Sequence, residues 1–224
     1  MAYSAGFTPH PRVSYANAAP TGTGSEAEFL EIALTEARDP AVLRELLDAS
    51  LPDGLDVIDA VEVRTSGFAE RLTASVWELR LDGVSAEVAA KAVDAFNEAG
   101  TVEVQRRTKN GMRTFDARAA VVELRVLDPR PDGSADRPCA ILRLVVRHVT
   151  PAVRPDDVLS GLHVVADLAP PVPVAVTRLA QGLFDEESGT VTDPLAPDRE
   201  AAPAVSSTAT GTAVATAPEG TGSA

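Results

Sequence analysis

Alternating apolar and polar positions predict strands along most of the chain. Trp77, Leu79 and Leu81 alternate with Glu78 and Arg80, which is the pattern of a strand with one buried face. The same period of two, bounded by Gly, Pro, Asn and Asp, predicts further strands. These cover residues 12–16, 26–34, 55–63, 101–107, 113–127, 140–148 and 172–183.

Apolar residues recur at helical spacing in three other segments. Asp39 and Pro40 can start a helix that continues to about residue 50, because Asp caps free backbone N–H groups and Pro is tolerated in the first turn. Ser85 can cap a second helix that ends before Gly100. A third, short helix is predicted over 155–162.

This order of elements predicts an α+β protein with two ferredoxin-like units in tandem. Residues 1–66 give strand, strand, helix, strand, which is a βαββαβ unit without its first strand and helix. Residues 67–184 give a second unit that carries an elaborated hairpin. Residues 185–224 are rich in Ala, Thr, Pro, Gly, Ser and acids, and their composition predicts a disordered tail.

The charge and the cysteine count narrow the classes of function. The net charge of −13 argues against a generally basic nucleic-acid binder, but nearly half of it lies in residues 185–224. Cys139 is the single cysteine of the sequence, which excludes an internal disulfide. Cys139, His148 and His163 are not spaced in the sequence like the ligands of a metal site. We therefore expect no metal in this chain. With no signal peptide pattern and no membrane-length apolar run, we expect a cytoplasmic protein without membrane contact.

The first candidate site is the loop over residues 3–11. Gly6, Pro9 and Pro11 predict a shaped loop, and His10 lies between the two prolines. A histidine held in this way can act as an acid, a base or a phosphate partner. It can equally be a surface histidine packed between prolines, because the sequence places no nucleophile or carboxylate beside it.

The second candidate site is a basic hairpin around the turn at Asn110 and Gly111. Its cations can grip phosphates, or they can protect an edge strand from pairing. Phe115 can stack on a nucleobase or belong to the core. Asp116 and Arg118, two residues apart on a strand, can pair with each other or orient a ligand. The five cations are Arg106, Arg107, Lys109, Arg113 and Arg118.

Two stretches resemble a bacterial radical-SAM-linked protein family, a domain of unknown function. The first is a Tyr-Ser-x-Gly-Phe-x-Pro-His-Pro-Arg-Val-Ser segment, here Tyr3, Ser4, Gly6, Phe7, Pro9, His10, Pro11, Arg12, Val13 and Ser14. The second is a Ser-Glu-Ala-Glu-Phe strand, here Ser25, Glu26, Ala27, Glu28 and Phe29. The basic hairpin and Asp116-x-Arg118 also look like the family pattern, although Ala119 stands where a proline is usual. The resemblance covers about residues 2–184.

The resemblance implies partners and binding residues. Members are linked or fused to radical SAM proteins, often cobalamin-binding ones, and lie near genes for ribonuclease E/G-type and ribosomal proteins. RNA is therefore a second candidate partner. This chain would hold no cofactor, while a radical SAM partner would carry its own iron–sulfur cluster and S-adenosylmethionine. The candidate binding residues are Tyr3, Ser4, Gly6, Phe7, His10 and Arg12 in the loop, with Arg106, Arg107, Lys109, Arg113, Asp116 and Arg118 in the hairpin.

The same resemblance gives an expectation for the start of the chain. Family members usually carry a strand and a helix with a Ser-His segment before the Tyr-Ser motif. We therefore expect Met1 to be an internal methionine, with the missing strand and helix of the first unit encoded upstream of it.

Two functions of different classes remain open at this level. The first is an accessory module without catalysis, which binds RNA or a partner and is linked to RNA modification, RNA processing or translation. The second is an enzyme that acts on RNA phosphodiesters with His10 as acid or base. The sequence favours the first, because it offers a binding surface more clearly than a catalytic set.

Overall fold

The computed structural model of this α+β protein describes residues 1–109, 111–128 and 138–201. Its helices are α1 (Pro40–Asp48), α2 (Ala86–Glu98), α3 (Pro155–Ala166) and α4 (Ala196–Glu200). The strands up to β6 are β1 (Val13–Ala16), β2 (Gly24–Ser25), β3 (Phe29–Ile32), β4 (Ala74–Asp82), β5 (Glu103–Thr108) and β6 (Gly111–Asp116). The later strands are β7 (Val121–Leu127), β8 (Cys139–Arg147), β9 (Ala175–Gly182), β10 (Phe184–Asp185) and β11 (Thr190–Val191).

A five-stranded sheet in the order β2-β9-β4-β8-β7 forms the centre of the protein. β4 is antiparallel to both of its neighbours, β7 is antiparallel to β8, and the two-residue strand β2 is parallel to β9. Along the chain, residues 74–182 run strand, helix, strand, strand, helix, strand, with the separate hairpin β5–β6 inserted after α2.

The main core lies between this sheet and helices α2 and α3. The apolar face of α2 contributes Ala89, Ala92, Val93 and Phe96. Leu79 from β4 is fully buried in the same cluster. Helices α2 and α3 pack closely at Gly161 of α3, where an added Cβ would lie 2.7 Å from the ring of Phe96 on α2. The structure therefore confirms the predicted strand over 77–81 and the two predicted helices, α2 and α3, that pack in this core.

The first part of the chain has no comparable core. β1 and β3 form a two-stranded sheet, and β2 joins the central sheet instead of a sheet of its own. Helix α1 contains no buried residue, and Ala27 is the only buried apolar residue before Phe68. The predicted strand over 55–63 is wrong: this segment forms no strand, its backbone has no strand partner, and Ile58 and Asp59 interrupt the alternation of apolar and polar positions. Residues 1–66 therefore do not form a separate ferredoxin-like sheet.

The segment predicted as one strand over 113–127 is two strands joined by a 3-10 turn at Arg118–Ala120. Asp116 causes this break, because its carboxylate accepts hydrogen bonds from the backbone N–H groups of Val102 and Arg118, both at 2.9 Å. β6 consequently stays with β5 in the hairpin, while β7 crosses to the edge of the central sheet.

Ordered structure continues beyond residue 184, where the sequence pattern predicts a tail. β10 and β11 form an antiparallel pair that covers the second face of the sheet, with Phe184 packed against Val76 and Val145. The composition of residues 185–201 gave no sign of this, because Val191, which is half-buried, packs against the sheet cluster and not against other residues of its own segment. The remaining predicted tail, residues 202–224, lies outside the described residues.

Buried Asp198 of α4 joins the end of the described chain to the segment before β4. Its carboxylate accepts hydrogen bonds from the backbone N–H groups of Arg64 and Thr65, the Thr65 hydroxyl and the Arg71 guanidinium, at 2.7 to 2.9 Å. Burial by itself would raise the pKa of Asp198, but these bonds hold it well below the ordinary range. The segments 64–71 and 193–201 are therefore fixed to each other.

Candidate functional site

The loop over residues 3–11 is closed at its base by backbone hydrogen bonds. Tyr3 and Pro11 form an isolated bridge. The Ser4 N–H donates to the His10 carbonyl oxygen at 2.9 Å, and the His10 N–H donates to the Ser4 hydroxyl oxygen at 3.1 Å. Gly6 has a φ of +131°, a conformation that other residues rarely adopt. Residues 5–9 therefore project from the body as a closed loop.

The side chains of this loop face solvent. Phe7 is completely exposed near the tip, Tyr3 is 59% exposed, and Ser4, His10 and Arg12 are exposed as well. In the described part of the chain, the His10 ring has no hydrogen-bond or ion-pair partner. The nearby Ser4 hydroxyl accepts from the His10 backbone N–H and not from the ring, so no described nucleophile or carboxylate forms a catalytic pair with the His10 ring.

The hairpin uses one of its five cations to attach itself to the body. The Arg106 guanidinium lies 2.7 Å from the Asp157 carboxylate of α3, donates to the Ala152 carbonyl oxygen at 3.0 Å and stacks over the Phe115 ring at 4.9 Å. Phe115 itself is buried. Burial raises the pKa of Asp157, and the charge of Arg106 opposes that rise. Arg106 and Phe115 are therefore occupied in packing the hairpin onto α3.

Three other cations of the hairpin remain exposed. Arg107, Lys109 and Arg113 are exposed, and no hydrogen bond or ion pair to another described residue holds their side chains. The strand register places Arg113 opposite Arg106 and places Arg107 opposite Met112, so the cations occupy both faces near the turn. Asn110 of that turn lies outside the described residues.

Asp116 and Arg118 support the local backbone. Asp116 shapes the turn as described above, and the Arg118 guanidinium donates to the Val121 carbonyl oxygen at 2.8 Å. One nitrogen, Arg118 Nε, is buried without a partner among the described residues. The contact between this pair runs from the Arg118 backbone N–H to the Asp116 carboxylate, not between their charged groups.

The two candidate surfaces are attached to different elements of the fold. No hydrogen bond or ion pair of the described residues joins the loop over 3–11 to the basic hairpin. The loop is attached to β3 through mutual backbone bonds among Ala2, Arg12 and Ala33, whereas the hairpin is attached to α3. Each surface must therefore be tested on its own.

A buried polar cluster, which sequence reasoning missed, fastens the N-terminal segment to the sheet. Arg178 on β9 is 1% exposed and donates to the Asn17 carbonyl oxygen at 2.8 Å, to Ser25 at 3.3 Å and to the Glu28 carboxylate. Burial would raise the pKa of Glu28, but bonds from Ser25 and Arg178 bring it below its ordinary value. Arg178 also lies 5.5 Å from the Trp77 ring. The only sequence signal was a charged residue on a strand next to apolar positions.

A serine and a histidine are adjacent at the edge of this cluster. His148 Nδ1 lies 2.6 Å from the Leu72 carbonyl oxygen, so Nδ1 carries the proton and Nε2 accepts a hydrogen bond from the Ser75 hydroxyl at 2.7 Å. Burial lowers the pKa of His148, and the charge of Arg178 lowers it further. A serine beside a neutral histidine resembles a catalytic pair, but Ser75 is 1% exposed and has no route to a substrate. The pair therefore stabilises the fold.

Neither a metal-ligand cluster nor a membrane-spanning helix is found among the described residues. No group of three His, Cys, Asp or Glu side chains within 1–109, 111–128 and 138–201 is arranged to hold a metal ion. In the same residues, no helix combines the length and apolar character that crossing a bilayer requires.

The fold and these surfaces define an α+β protein that exposes an aromatic loop and a basic hairpin. The model of the family described as "Uncharacterized protein conserved in bacteria (DUF2344)" matches residues 1–155, so the chain belongs to this bacterial family. The match includes both candidate surfaces and ends at the first residue of α3. No curated protein and no solved structure is significantly similar to the chain.

Proposed function

We propose that this protein is a cytoplasmic accessory module without catalysis, which binds RNA through its basic hairpin and serves a radical SAM partner. Residues 74–182 would form the ferredoxin-like unit that carries the hairpin, because their element order is βαββαβ and the order of their sheet strands is β9-β4-β8-β7. The role would lie in RNA modification, RNA processing or translation.

The observation that supports RNA binding is the concentration of exposed cations on an acidic protein. Ten arginines of the described residues are ion-paired, including Arg106. Arg107, Lys109 and Arg113 are not, although the chain carries a net charge of −13. Cations left free near one turn can contact phosphates and release counterions when they do so.

The proposal of a radical SAM partner depends on the resemblance of the loop motif and the Ser25–Phe29 segment to the radical-SAM-linked family. The iron–sulfur cluster and S-adenosylmethionine would belong to that partner, and this chain would hold or position the RNA. A pull-down from native lysate with the full chain, with and without RNase, tests this part. A radical SAM protein that stays bound after RNase supports the proposal, and its absence from both samples contradicts it.

The hairpin is tested by neutralising its free cations. The triple variant R107S/K109S/R113S should weaken binding of a fluorescent twelve-nucleotide oligouridylate and reduce the salt slope by about 2, at roughly 0.7 for each phosphate contact on a single strand. Arg106 is left intact because it holds the hairpin on α3.

A charge-matched control separates local contacts from net charge. The variant R38S/K91S/R125S removes the same charge from exposed positions on other elements. We expect it to keep the wild-type salt slope. Equal slopes for the hairpin variant and the wild type would exclude the hairpin as the phosphate contact.

A further inference from the structure

We propose that residues 3–15 form a surface on which the unpaired bases of single-stranded RNA stack. This inference rests on the proposed function, since the hairpin would hold phosphates while this second surface contacts bases. Its residues would be Tyr3, Phe7 and Tyr15, with His10 and Arg12 between them.

The distribution of aromatic side chains carries the inference. The chain has nine aromatic residues, all in the described part, and the large exposed ones are Tyr3, Phe7 and Tyr15. Phe115, the aromatic residue of the basic hairpin, is buried under Arg106. The hairpin can therefore contact phosphates but has no exposed aromatic ring on which a base could stack. The loop and β1 have three exposed rings within thirteen residues. Exposed aromatic rings beside cations are the usual platform for single strands.

The orientation of β1 supports an outward-facing surface. Tyr15 is opposite Leu30 and Val13 is opposite Ile32, so these four side chains share one face of the β1–β3 pair. The other face includes Phe29, which packs edge-to-face with Phe68 at 5.6 Å and so lies toward the body. Tyr15, at 70% exposure, consequently points to solvent.

Charge and rigidity favour a nucleic acid as the occupant. The first 25 residues contain no Asp or Glu, although the whole chain has 33 acidic residues. Arg12 and His10 therefore have no acidic neighbour within this stretch, and the acid that the strand register brings beside it is Glu31, opposite Ser14. The closed base of the loop and the prolines at 9 and 11 fix the backbone before binding, so little entropy is lost when a base docks on Phe7.

The test compares F7A and F7L with the full-length wild type. Probes are the fluorescent oligouridylate and an RNA duplex of the same length. F7A should weaken single-strand binding roughly 5- to 150-fold, the range measured for loss of one stacked base. The duplex affinity and the salt slope should not change. F7L should behave like F7A, because leucine keeps the apolar surface but has no π face.

The control is V42A, which removes an exposed aliphatic side chain from α1 and should leave binding unchanged. Wild-type affinity in F7A, or full affinity in F7L, would overturn the stacking surface. A change in self-association without a change in RNA affinity would overturn it in favour of a protein contact. If the hairpin variant keeps its salt slope while F7A still loses affinity, the hairpin proposal fails and the stacking surface stands.

Discussion

Arg106 on β5 and Asp157 on α3 form an ion pair, with 2.7 Å between Nη1 and Oδ2, that fixes the basic hairpin to the helical layer. Asp157 is buried and also accepts from the Arg154 backbone N–H at 2.7 Å at the start of α3. Arg106 therefore has a structural role, unlike the three hairpin cations Arg107, Lys109 and Arg113, whose side chains contact no other described residue by a hydrogen bond or an ion pair.

Replacing Arg106 should destabilise the protein, whereas replacing its neighbour should not. R106M leaves the Asp157 carboxylate buried without its cation, and we expect a loss of about 1.5–3 kcal/mol in the free energy of unfolding. R107M changes an exposed side chain and should stay within about 0.5 kcal/mol of the wild type. Urea unfolding measures both. Equal midpoints for R106M and R107M would show that the ion pair has no net effect.

Asp198 should make stability depend on acid pH. Its folded-state pKa is lowered, so its contribution is complete above the unfolded value near 4 and disappears as pH falls toward the folded value. D198N should lose roughly 3–5 kcal/mol at pH 7, because the Arg71 guanidinium keeps no counterion.

Urea unfolding between pH 7 and pH 3 measures this effect of Asp198. The difference between the wild type and D198N should shrink as pH falls below 4. A difference that is the same at every pH would rule out the carboxylate charge as its source. D193N, at an exposed carboxylate of the same segment, is the control.

His148 should cause a loss of stability between pH 7 and pH 5. Burial lowers its folded-state pKa, so as pH falls below the unfolded value near 6.5 the unfolded state binds the proton first. The free energy of unfolding should decrease by at most about 1.4 kcal/mol per pH unit from this one group. H148Q should remove that part of the slope, and H10Q, at an exposed histidine, should keep it. An identical slope in H148Q would contradict the assignment.

Gly182 should not tolerate a side chain. A Cβ at this position would lie 1.9 Å from the Thr192 carbonyl oxygen, a backbone atom that cannot move without displacing the segment after β11. G182A should therefore lower the free energy of unfolding by about 1–3 kcal/mol, as overpacking usually does. G100A is the matched control, because a Cβ there meets no atom within 4 Å. Thermal unfolding that gives the same midpoint for both variants would refute the close approach.

Much of the central fold could be predicted because its residues have strong local patterns. Ser85 caps α2 through the Val88 N–H at 3.3 Å, and Asp39 caps α1 through the Ala41 N–H at 2.8 Å, as their positions in the sequence predict. The alternation at 77–81 marks β4 because one face of that strand is buried. The segment over 55–63 alternates only in part and forms no strand, since a strand also requires a partner that the local pattern does not supply.

The candidate surfaces show the same limit. The sequence indicated the projecting loop and the basic turn, because Gly and Pro act on their own backbone and charges are visible in any context. It could not indicate that Arg106 binds Asp157, 51 residues away, while Arg107 stays free. It also could not show that Arg178 is buried, because the cluster around it comes from Asn17, Ser25 and Glu28, more than 140 residues earlier.

The sequence by itself determined the caps, the turns, the strand and helix periods of the central unit and the exposure of a charged hairpin, since these depend on neighbours within a few residues. Only the tertiary structure decided which cations are free, which aromatic rings face solvent, and that residues 185–201 pack on the sheet. Those outcomes depend on burial and on partners distant in sequence, and burial sets the strength of a charge or a hydrogen bond.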